Sequence, residues 1–83
     1  MSLPEPGHLW ESILGNLQLQ VTRSSYETWL SATSGVSFSD GELLVSTPNA
    51  FVSEMLEQRM YSLICQAAEQ VVDDPVEVRF QVG

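Results

Sequence analysis

The sequence predicts a two-layer α/β domain of the α+β kind. Its elements run α-α-β-β-α-β, and its helices cover one face of a three-stranded sheet. Three observations predict this. Apolar residues between His8 and Val21, and again between residues 50 and 72, recur at three- and four-residue steps, the period of an amphipathic helix. Asp40-Gly41 lies between two apolar runs as a tight-turn signal. Val76, Val78, Phe80 and Val82 alternate with Glu77, Arg79 and Gln81, the period of a strand with one dry and one wet face. Three short strands cannot hide both faces of a sheet, so the helices are expected on one side. A chain of 83 residues, 43% of them hydrophobic, has room for one core.

The elements follow in order. Residues 1–7 carry two prolines and a glycine and are expected to be a flexible leader, with the domain proper over 8–83. Leu9, Trp10, Ile13, Leu14, Leu17 and Val21 then mark the inner face of the first helix. Ser24 and Glu27 have the spacing of a capping box, which predicts the start of a short second helix with Tyr26, Trp29 and Leu30 on its apolar face. Val36-Ser37-Phe38 and Leu43-Leu44-Val45 flank the Asp40-Gly41 turn of a hairpin. Asn49 is placed to cap a third helix by accepting from an amide near Val52. That helix is expected to run unbroken over about 50–72, with Val52, Leu56, Met60, Leu63, Ala67 and Val71 inward and Phe51, Met55 and Ile64 on the flank. Asp73-Asp74-Pro75 ends it.

Composition narrows the function. Eleven residues are Asp or Glu and three are Arg, with no Lys, giving a formal charge of -8. Phosphate backbones and anionic membranes repel such a chain. The resulting expectations are no membrane association and at most weak nucleic-acid binding. One cysteine, Cys65, supports neither a disulfide framework nor a zinc site and reads as a small hydrophobe on a helix. No apolar run reaches transmembrane length, and no signal-peptide pattern opens the chain, so a cytoplasmic location is expected.

Catalysis needs a constellation, and the sequence offers none. His8 has no evident partner to lock its tautomer. Asp73-Asp74 before a proline reads as a solvated turn. There is no glycine-rich phosphate loop. The expectation is a non-enzyme without metal or cofactor. What remains is a surface for other proteins. Trp10 and Phe51 each sit near the start of a helix and are the aromatics expected to be partly exposed, although either can instead be ordinary core packing. Trp29 is expected to be buried, its indole N–H bonded to backbone.

Leu9-Trp10, Tyr26-x-x-Trp29-Leu30, Asp40-Gly41, Pro48-Asn49-x-Phe51-Val52, Arg59 and Val78-Arg79-Phe80-x-Val82-Gly83 follow one another in a particular order and spacing. In that ensemble the stretch from Leu9 to Gly83 resembles the N-terminal domain of the bacterial chromosomal replication initiator DnaA. The resemblance implies the compact α/β fold related to K-homology domains, without the Gly-x-x-Gly nucleic-acid loop. It implies a docking module that self-associates weakly, recruits the replicative helicase and binds initiation regulators. It also implies one domain of a longer initiator, cut where a flexible linker would begin.

By position, Trp10, with Leu9 beside it, matches the self-association aromatic. Phe51, following Asn49, matches the helicase-contacting aromatic. Ser25 stands where the family can have a helicase-contacting acid, and Glu27 lies too far round the helix to substitute simply. Ala32 and Thr33 follow Trp29-Leu30 where a proline is usual, and Met55 and Met60 stand where aromatics are common. Two alternatives stay beside this reading: a weak single-stranded nucleic-acid binder, and a standalone anti-initiator decoy using the same surface.

Overall fold

A computed structural model of the chain describes residues 5–83. Helix α1 spans Pro6–Gln18, α2 is a single turn at Arg23–Ser25, and a π-helical turn follows at Tyr26–Leu30. Strands β1 (Ser34–Ser39) and β2 (Glu42–Thr47) form the hairpin. Helices α3 (Ala50–Arg59) and α4 (Tyr61–Val72) lead to β3 (Glu77–Val82). The sheet order is β1-β2-β3, with β1 antiparallel and β3 parallel to β2. Parallel neighbours need a long crossover, which α3 and α4 supply.

The helices cover one face of this sheet. Leu43, Val45 and Val78 are buried, with Phe38 and Phe80 packed against them. Intervening Glu77 and Arg79 face water, and the Arg79 guanidinium pairs with Glu42 across the outer face at 3.2 Å. Asp40 and Gly41 both adopt the left-handed conformation, φ 51° and 74°. Two successive positive φ values make a hairpin turn whose twist suits the strands it joins.

The leader expectation is corrected in part. Residues 1–4 lie outside the described residues, but Pro6 and Gly7 belong to α1. Pro6 opens the helix, where its missing N–H costs nothing and its fixed φ suits the first turn. The expected capping box is also corrected. Thr22, not Ser24, accepts the amide of Ser25, at 3.1 Å, so the turn begins earlier.

The single helix over 50–72 is two helices. Met60, at φ −118° and ψ 2°, breaks the helical path, though its N–H still reaches Leu56 and its carbonyl still receives Ile64. The reason is packing. Helix α3 lies against β3, whereas α4 runs along α1, and no straight helix serves both. The break rotates the second half. Ile64, Ala67 and Ala68 become the buried residues, Leu63 is only half-buried, and Val71 faces solvent. Asp73, left-handed at φ 61°, then terminates α4 before Pro75.

Candidate protein-interaction site

The two tryptophans stand opposite to expectation. Trp10 is 1% exposed and sits in the core with Leu9, Ile13, Leu14 and Leu17. Its indole Nε1–H donates to Thr33 Oγ1 at 2.9 Å, and the Thr33 hydroxyl donates onward to the Leu30 carbonyl. A buried indole needs such a partner, and the chain supplies a buried threonine for it. Gly35 is the other half of this pocket. A Cβ there would lie 2.2 Å from the Pro6 carbonyl oxygen and 2.9 Å from Trp10 Cβ. The first turn of α1 can therefore rest on β1 only because residue 35 has no side chain. The expectation that Trp10 is partly exposed is overturned, and Leu9 is buried beside it.

Trp29, expected in the core, is half-buried instead. Its neighbour Leu30 takes the buried position. The π-helical turn is closed by the Ser31 N–H bonding back five residues to the Tyr26 carbonyl at 3.0 Å. Leu30 fills the core from this short turn, and Trp29, roughly a quarter turn round from it, packs at the core's edge.

Trp29 meets Phe51. The ring centroids are 5.5 Å apart and the ring planes are inclined at 49°. Phe51 is 64% exposed, the most open aromatic side chain at this corner. It occupies the first turn of α3, whose start is fixed by Asn49: the side-chain oxygen accepts the Val52 N–H at 2.9 Å, as the sequence predicts. Pro48 and Asn49 are themselves exposed, and Glu54 stands one turn further along α3, also exposed.

The remaining candidates lie on the other side of the π-helical turn. Ser25 is half-buried at the end of α2. Glu27 pairs with Arg23 at 3.1 Å across an open surface. Together with Gln18, Tyr26 and Ser31, Arg23 and Glu27 line a shallow cleft of about 510 Å³. Its walls are polar and apolar in about equal measure, and it holds no cluster suited to catalysis. A second cleft, of about 450 Å³, is lined by His8, Leu9, Ser12, Phe38, Val71 and Val72 and is more apolar. Cys65 is half-buried, and the Tyr61 phenol is held above its ordinary pKa, first by its hydrogen bond with Cys65 and then by burial. Among the described residues no three His, Cys, Asp or Glu side chains come together as metal ligands. No described helix is long and apolar enough to cross a membrane.

Comparison with known proteins identifies the family of the chain. The model of the DnaA N-terminal domain family matches residues 7–70. The chain belongs to the DnaA N-terminal domain family. A chromosomal replication initiator protein DnaA of Gloeobacter violaceus is 36% identical over 75 residues, which is 90% of this chain and 17% of that protein. The corresponding protein of Roseiflexus castenholzii is 35% identical over 71 residues, 86% of this chain and 15% of that protein. That of Crocosphaera subtropica is 31% identical over 74 residues, 89% of this chain and 16% of that protein. The chain thus spans about a sixth of the length of the curated relatives it matches. Within this DnaA N-terminal domain, the open aromatic corner and the sealed tryptophan pocket are separate structures. Two of the three arginines, Arg23 and Arg79, are engaged in ion pairs.

Proposed function

We propose that this domain serves replication initiation as a non-catalytic docking module, working in the cytoplasm, that recruits the replicative helicase through the corner around Phe51. The observation that carries the reading is a 64%-exposed phenylalanine fixed at a capped helix start. An aromatic already held in place loses little entropy when a partner covers it, which suits a binding hot spot. Asn49 supports it by fixing the first turn of α3. Ser25 and Glu27 lie on the other side of the π-helical turn, where Glu27 pairs with Arg23, and would meet a partner only beyond the Phe51 corner. The family membership and the relatives' name, chromosomal replication initiator protein, support the assignment to initiation.

Weak self-association and the binding of initiation regulators belong to the same proposal. For self-association the surface is the apolar cleft bordered by Leu9, Phe38, Val71 and Val72. Trp10 shapes that side of α1 from within and does not touch the partner.

Calorimetric titration of the domain with its replicative helicase tests the main reading. Phe51→Ala is expected to weaken binding by about 2 kcal/mol or more, the scale of a hot spot, while leaving the thermal melt unchanged. Equal affinity of the variant and the parent would contradict it.

A further inference from the structure

Phe51 does not stand alone, and its surroundings specify what it can hold. Trp29 lies beside it with the centroids 5.5 Å apart and the planes tilted by 49°. Rings inclined in this way do not cover each other's faces as a stacked pair would. Trp29 reaches this place through a π-helical turn, the rarest helical form and one that concentrates at functional positions. Glu54, exposed on α3, is three residues from Phe51 and therefore shares its face of the helix. The whole chain carries a formal charge of -8.

A purely apolar partner surface would cover the rings but would strip water from Glu54 without replacing it, which is costly for a carboxylate. An ammonium group would satisfy the carboxylate but offers no plane to lie on an aromatic face. A guanidinium does both. It is planar, permanently charged and weakly hydrated, it stacks on rings, and its N–H groups fork toward a carboxylate.

We propose that Trp29 and Phe51 form a two-ring seat for an arginine side chain presented by the partner, with Glu54 as its counter-charge. The inference rests on the docking reading above and names the partner chemistry of that same corner. It makes Trp29 a contact residue in its own right.

The first test uses the nitrogen-15-labelled domain and small probes. N-acetyl-arginine amide is titrated while the two indole N–H signals are followed, with the lysine and citrulline analogues alongside. Citrulline keeps the shape of arginine and removes its charge; lysine keeps the charge and removes the plane. The Trp29 signal is expected to move with arginine, less with lysine and not with citrulline, while the Trp10 signal stays still. No response to arginine, or an equal response to citrulline, overturns the seat.

The second test is helicase affinity. Trp29→Leu is expected to lose about tenfold, and Trp29→Phe to stay within about threefold of the parent. An unchanged Trp29→Leu overturns the seat, and if Phe51→Ala still loses binding the docking reading survives that result. An unchanged Phe51→Ala would defeat the docking reading, and the probe titration then decides the seat by itself. The Trp10 signal reports whether each variant is folded; if Trp29→Leu loses it, the titration of the parent domain decides.

Discussion

The two tryptophans of this domain lie 19 positions apart in sequence and in opposite environments. Trp10 is enclosed by α1, β1 and the loop before it, with a glycine beneath it and a threonine accepting its N–H. Trp29 stands on a short irregular turn, with Phe51 for a neighbour and solvent beyond. The residue type does not decide which tryptophan is buried. What decides is whether the surrounding chain makes a space and a polar partner for the indole. Gly35 and Thr33 do this for Trp10, and nothing comparable is built around Trp29.

The largest expected effect breaks the first region outright. Trp10→Ala should cost ~3–5 kcal/mol, as for a fully buried large aromatic, which is most of the stability of so small a domain. Urea denaturation would show it as a collapse of the midpoint or as an unfolded protein. Gly35→Ala should cost about 2–3 kcal/mol, because the added methyl group meets the Pro6 backbone, which cannot yield as a side-chain tip would. Hydrogen exchange should then show the first turn of α1 fraying before the rest of the helix.

Thr33→Val keeps the shape of that pocket and removes the acceptor of the Trp10 N–H. A buried donor left without a partner costs about 1–3 kcal/mol, so a drop of that order in chemical denaturation is expected. The second region should respond far less. Trp29→Ala is expected to cost about 1 kcal/mol, reflecting a half-buried ring, and Phe51→Ala to stay within about 0.5 kcal/mol of the parent. Equal stability losses at Trp10 and Trp29 in the same denaturation series would erase the distinction between the two regions.

Much of the fold was legible because its signals are local and have a mechanism. Asp40-Gly41 named its own turn, Asn49 its own cap, and the alternation from Val76 to Val82 its own strand. The division of the long helix at Met60 was not legible, since no proline or glycine marks it. It follows from the different partners of α3 and α4, which only the assembled fold defines. The start of α1 was missed because Pro6 and Gly7 were counted with a flexible leader, when a proline at the first helical position is a starter.

At the candidate site, Phe51 was legible from its place after the Pro48-Asn49 corner, and the structure finds it open to solvent. Trp10 and Trp29 were not, because helical period alone does not show that Gly35 lies beneath one of them. Nor does it show that a π-helical turn carries the other outward. The pairing of Trp29 with Phe51 joins residues far apart in sequence and has no local signature.

The most direct test follows both indoles at once as the partner binds. The domain is labelled with 5-fluorotryptophan, which gives one fluorine signal from Trp10 and one from Trp29. The replicative helicase is then added stepwise. The Trp29 signal is predicted to shift or broaden as the complex forms, and the Trp10 signal to remain in place. Movement of Trp10 with Trp29 unchanged would place the contact on α1 and contradict the assignment of the open aromatic corner as the docking site.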